Sequence, residues 1–170
     1  MALQPSTRDQ LLKVSTATLC TALFKRGLRN QFIQDVRPLN DQLPNMVGEA
    51  FTLRYIPARE DLNPISVFQD RSHPQRVAVE LHQALDINVP IGCGDVAVFP
   101  GDVMVGDREG VVVIPAHLAD EIAHEATEMT AFEDFVTEKV LEGRSILGLY
   151  PPTEEQSKLD FEAWRQAQGR

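Results

Sequence analysis

PGDVMVGDREGVVVIP, residues Pro100 to Pro115, carries the densest β signal in the chain. Val96–Phe99, Asp102–Val105 and Gly110–Ile114 read as successive strands. Gly106-Asp107-Arg108-Glu109-Gly110 joins the last two, with a glycine at each end for a tight turn. Val111-Val112-Val113-Ile114 is an unbroken apolar run, the pattern of a strand covered on both faces. Asp102 and Asp107 are carboxylates of the type that holds Mg²⁺. They are also the residue type that caps a turn through its own backbone, and on the residues alone capping is the stronger reading.

Downstream, Pro115 opens a helix expected to reach about Glu142. Leu118, Ile122, Ala126, Met129, Phe132, Val136 and Val140 recur on one face at helical spacing, and Gly143 follows the end. Asp120, Glu121, Glu125, Glu128, Asp134 and Glu138 fill the rest of that helix. A last helix is expected from Thr153, whose spacing to Gln156 fits a capping box, carrying Leu159, Ala163 and Trp164.

Upstream, Ser6–Arg26 reads as one helix with Ser6 as N-cap, and Leu12, Thr16, Leu19 and Leu23 share a face. Phe32–Val36, Gly48–Ile56 and Ile65–Phe68 read as strands punctuated by prolines. Val77, Leu81 and Leu85 are spaced for a helix over Pro74–Asn88. Gly92-Cys93-Gly94-Asp95 is a turn first, and an anion cradle only on weaker grounds.

The 170 residues suit one domain with a real core. A net charge of −9, with scattered basic residues, argues against nucleic acid as a partner, since phosphates must be met by clustered Lys and Arg. No apolar run approaches a membrane span, and Met1–Asp9 shows no secretory pattern, so the expected compartment is the cytoplasm. Cys20 and Cys93 form no ligand-spaced pair and read as reduced thiols. His73, His82, His117 and His124 have no zinc-like spacing; His117 and His124 read as surface residues of the long helix.

The run PGD–VMVGDREGVVVIP, with TATLCTALFKRGLRN (Thr16–Asn30), VGEAFTLRY (Val47–Tyr55), LHQALDINVPIGCGD (Leu81–Asp95) and MTAFEDFV…GRSILGLYPPT (Met129–Thr153), resembles the RraA-like family over nearly the whole chain. That family includes 4-hydroxy-4-methyl-2-oxoglutarate aldolases and regulators of ribonuclease activity. The resemblance implies an α/β fold of layered β/β/α type (swivelling-domain-like), a divalent cation (Mg²⁺ or Mn²⁺), a small 2-oxo-acid substrate and homo-oligomers, trimers or hexamers. It implies 2-oxo-acid lyase activity yielding pyruvate, including oxaloacetate decarboxylation. It also suggests Glu133 as a carboxylate lent by the neighbouring subunit; on the residue alone, a solvated helix carboxylate is the plainer reading.

One departure weighs against that activity. Between the equivalents of Glu80 and Leu81, relatives carry a further block containing a glycine and, some way on, an Arg-Asp pair that binds substrate and helps hold the metal. Here the only Arg-Asp dipeptide is Arg8-Asp9, in the first helix, and Asp70-Arg71 has the reverse order. The expectation is a single domain over 1–170 with an internal deletion near 80–81, a fold truncated centrally, a helical extension over 153–170, and no metal ligand of its own. Three functions remain open: an impaired lyase, a protein that binds a ribonuclease by contact, and an inactive deleted paralogue.

Overall fold

The computed structural model describes residues 2–40, 42–56 and 83–169, with Asp61, Ser66 and Gln69. The 80–81 junction, Asp70-Arg71, His73, His82 and, except Ser66, the Ile65–Phe68 segment lie outside the described residues.

The Pro100–Pro115 segment forms the middle of the main sheet. Strands β1 (Phe32–Ile33), β2 (Met46–Glu49), β7 (Val103–Gly106) and β8 (Val111–Ile114) make a four-stranded antiparallel sheet in the order β1-β8-β7-β2. β3 (Leu53–Ile56) pairs with β4 (Gln83–Ile87), and β5 (Ile91–Cys93) with β6 (Val96–Val98), each pair antiparallel. Helices α1 (Pro5–Leu11), α2 (Thr16–Phe24) and α3 (Ala119–Leu141) supply a helical layer; α4 (Glu155–Gln168) follows at the C-terminal end.

Alternation along the strands builds two cores. Val103, Val105, Val112 and Ile114 pack with Leu11, Leu19, Leu23, Ile122 and Ala126 in the core beneath the helices. The intervening Val113, with Ile33, packs against Val96 and Val98 of the β5–β6 hairpin on the opposite face. β8 is therefore covered on both sides, as its apolar run implied, and the layers are α/β/β. A third cluster joins Phe135, Val136 and Leu149 to Phe132, Phe161 and Trp164, and it docks α4 on α3.

Several expected boundaries are corrected. The helix read over Ser6–Arg26 is two helices. The N-cap of the first is Gln4, with Pro5 in the first turn, rather than Ser6. The break lies at Lys13–Ser15, where the Ser15 side chain accepts from Thr18 N and starts α2; a serine that bonds the backbone competes with helix continuation. Gly48–Ile56 is not one strand. Ala50 exchanges backbone hydrogen bonds with Asp102 and Gly101, and the chain leaves β2 before re-pairing as β3 in another sheet. Alternation cannot show where a strand changes partner.

The helix expected over Pro74–Asn88 fails at its end: residues 83–87 are strand β4, while 74–82 lie outside the described residues. Tertiary pairing with β3 overrides a helical spacing that rested on three residues. The long helix begins with a 3-10 turn, Ala116–Leu118, before α3. Its buried face includes Ala119, Ala123 and Phe135, while Val140 is exposed. Thr153 caps nothing: α4 starts at Glu155, with Glu154 as N-cap and no side-chain cap bond. Among the described residues, no helix is long and apolar enough to cross a membrane.

Candidate functional site

The strongest concentration of polar chemistry lies where the β7–β8 turn meets the start of α2. Asp107 Oδ2 accepts from Thr16 N at 2.7 Å, and Oδ1 from Thr16 Oγ1 at 2.9 Å. Oδ1 also takes Glu109 N at 2.8 Å and Gly110 N at 3.3 Å. One carboxylate thus closes its own turn and fixes the first turn of a helix far away in sequence, where the helix dipole favours negative charge. On the far side of α2, Ser15 Oγ lies 3.0 Å from Thr18 Oγ1, and Thr18 Oγ1 donates to Glu133 Oε2 at 2.9 Å. Glu133 is half-buried on α3 and in its own chain serves to tie α3 to α2.

Asp102 is equally engaged. It is buried, and it accepts from Phe99 N at 2.8 Å and from Ala116 N at 3.1 Å, closing the β6–β7 turn and starting the segment that leads into α3. Both aspartates of the Pro100–Pro115 motif therefore cap backbone, as their residue type suggested. Gly94 and Asp95 form the two-residue turn between β5 and β6, both with positive φ. A Cβ at Gly94 would sit 2.7 Å from Ile33 Cγ2 and 3.1 Å from Gln34 N, so the glycine is required by close approach. That places Gly92–Asp95 as a hairpin turn. His117 and His124 are exposed on the 3-10 turn and α3.

The acidic helix α3 is largely neutralised by its neighbours. Arg26 bridges Glu121 at 2.6 Å and Glu125 at 2.5 Å, and Lys25 reaches Glu125 at 3.0 Å. Burial pushes the Glu125 carboxyl up, but the hydrogen bonds and charges of Lys25 and Arg26 outweigh it, and the net direction is below the ordinary range. Arg165 pairs with Glu128, and Trp164 Nε1 donates to Glu138 at 3.0 Å. Cys20 is half-buried; burial, then the nearby charge of Asp107, raises its thiol pKa.

One pairing escaped sequence reasoning. The β3–β4 register sets Arg54 opposite Asp86, and their side chains form an ion pair at the edge of a cavity of about 600 Å³ lined by Leu53, Tyr55, Ile91 and Phe99. An arginine and an aspartate thus meet through space, not as a dipeptide. No local signal announced it, because residues 83–87 carried a helical spacing.

A divalent metal does not fit the residues described. Asp102 and Asp107 spend their oxygens on backbone and hydroxyl donors, and Asp86 is committed to Arg54. Among the described residues, no three His, Cys, Asp or Glu side chains gather as ligands.

Known proteins resemble this chain in sequence over part of its length and in fold over most of it. Residues 61–113 match the model of the family described as RraA-like (Aldolase/RraA). Over those residues the chain resembles that family. A putative 4-hydroxy-4-methyl-2-oxoglutarate aldolase of Halalkalibacterium halodurans is 43% identical over 49 residues, 29% of this chain and 23% of that protein. An uncharacterised protein of Methanocaldococcus jannaschii is 39% identical over 61 residues, 36% of this chain and 29% of that protein. The chain thus spans less than a third of the length of these curated relatives. Solved structures agree over far more of the molecule. An uncharacterised protein of Pseudomonas syringae pv. tomato superposes with a TM-score of 0.68 at 19% identity, covering 86% of this chain and 97% of that one. Streptomyces coelicolor RraAS2, described as an unusual member of the RNase ES inhibitor RraA family, gives 0.64 at 20% identity, covering 80% and 98%. At these identities the likeness establishes the α/β RraA-like fold.

Proposed function

We propose that this RraA-like chain is a relative of metal-dependent 2-oxo-acid lyases (4-hydroxy-4-methyl-2-oxoglutarate aldolases with oxaloacetate decarboxylation) whose own catalytic step is strongly impaired. Cleaving a C–C bond beside a 2-oxo acid leaves a pyruvate enolate, and that charge needs a metal, an arginine or both. The observation that carries the proposal is that Asp102 and Asp107 are both engaged in capping, Asp102 by two backbone donors and Asp107 by backbone and hydroxyl donors, which disfavours either as a cation ligand. The absence of the Arg-Asp dipeptide beyond Glu80 points the same way, as an internal deletion near 80–81 would produce. The name of the Halalkalibacterium halodurans relative supports the lyase lineage.

The test is direct. With Mg²⁺ or Mn²⁺ and oxaloacetate, pyruvate should form at least about 10²-fold more slowly than with the Halalkalibacterium halodurans relative assayed alongside, the loss expected when one charge-stabilising group is missing. A rate equal to that relative's defeats the proposal. Any residual activity should depend on Glu133 as a carboxylate lent to the neighbouring subunit of a trimer or hexamer, so Glu133→Gln lowers it.

A second reading has one observation in its favour. The net charge of −9 suits contact with a basic RNA-degrading endonuclease, in keeping with the RNase ES inhibitor family to which Streptomyces coelicolor RraAS2 belongs. Such binding must weaken steeply with salt. The self-paired acids of α3 reduce the charge available for it. The free thiols of Cys20 and Cys93 support placing the protein in the cytoplasm.

A further inference from the structure

We infer that the cavity between the Val36–Pro44 loop and the β7–β8 turn is a binding site for a small amphipathic carboxylate, held by Arg37. The cavity measures about 380 Å³, within the range of small-molecule sites. Its wall is apolar and its apolar groups are bared to solvent: Leu39 is fully exposed, Leu43 66%, Met46 52% and Val36 38%. Four large apolar side chains left open around one concavity are more than scattered surface hydrophobics, and a concentration of this kind marks a recognition site.

The charge at the rim selects the ligand's sign. Arg37 lines the cavity, and among the described residues its guanidinium has no hydrogen-bond or ion-pair partner. Asp107, also in the lining, spends its carboxylate on Thr16, Glu109 and Gly110 and forms no ion pair with Arg37. A guanidinium beside an apolar wall matches a carboxylate with a hydrocarbon body, because the fork of N–H donors fits both carboxylate oxygens. Pyruvate and oxaloacetate, compact and polar, would leave the wall unmatched, so this site is separate from any lyase chemistry.

The test uses octanoate as probe and octanamide as its uncharged counterpart, followed by amide chemical shifts of the full chain. Octanoate should shift the amides of Gly106, Gly110 and Val111, and octanamide should bind about tenfold more weakly. Arg37→Met should lower octanoate affinity to the octanamide level, with Arg37→Lys restoring most of it. Leu43→Asp, at an exposed position, should abolish binding without altering the fold. Equal affinity for acid and amide, shifts elsewhere than this turn, or indifference to Arg37→Met each overturn the inference. So does an oligomer that dissociates on Leu39→Asp while octanoate binds nowhere, since the cavity would then be a contact between copies.

Discussion

The Asp107 carboxylate grips both the backbone N–H and the hydroxyl of Thr16, 91 positions earlier in the chain. A residue that resembles a metal ligand in the sequence is, in the fold, the rivet between the central hairpin and the helical layer. The same economy holds at Asp102, which joins the β6–β7 turn to the start of the segment leading into α3.

Asp107→Ala should therefore lower stability by about 2–3 kcal/mol, the sum expected for a lost helix cap and lost charge-assisted hydrogen bonds. Urea unfolding should show a lower midpoint at unchanged slope. Were Asp107 a cation ligand instead, the substitution would alter Mn²⁺ affinity and leave the midpoint nearly untouched.

Acid should weaken the contact between α2 and α3. Glu125 sits below its ordinary value of 4.5 in the folded state, so its contribution is complete above that value and disappears as pH falls through the depressed one. Glu125→Gln should cost roughly 1 kcal/mol at neutral pH, as expected for a multi-membered ion-pair network. The variant and parent should converge in urea midpoint once the carboxyl is protonated. A constant gap across the acid range would show that the effect is not electrostatic.

Trp164 is the sole tryptophan, and it packs with Phe135 and Phe161 while donating to Glu138. Its fluorescence thus reports the docking of α4. Phe135→Ala removes the fully buried ring of that cluster and should cost about 3–5 kcal/mol. Red-shifted Trp164 emission in native buffer, with the far-ultraviolet signal of α1 to α3 retained, is the expected sign of local undocking.

Cys20 should alkylate slowly at neutral pH, because burial and the charge of Asp107 both disfavour its thiolate. Iodoacetamide labelling followed by peptide mass analysis should show modification at Cys20 rising with pH. Rapid neutral labelling would mean that the α2 surface opens in solution.

Much of the architecture was legible because it rests on alternation and punctuation. Val111–Ile114 declared two-sided burial, Gly106 and Gly110 declared the turn, and the α3 stripe declared a long helix and its C-terminal end, though not the 3-10 turn that opens it. What stayed hidden depends on partners distant in sequence. Nothing local shows that Ser15 would interrupt a helical stripe, or that Asp107 would reach back to Thr16. The 83–87 segment misled because its helical spacing was satisfied by only three residues, whereas β3 offered a whole ladder of hydrogen bonds. The Arg54–Asp86 encounter followed from that pairing and could be read only once it was known.

The valine run of β8 has a quieter implication. Val111, Val112 and Val113 share one side-chain shape while facing opposite cores in turn, so these three positions alone do little to distinguish one phase of the strand from the next. The valine run is thus nearly indifferent to its own phase, and its flanks must set it. The clamp of Asp107 on the adjoining turn and on Thr16 anchors one flank, and the close approach of Gly110 to Phe32 holds it, so a single carboxylate becomes a reference mark from which the strand is counted.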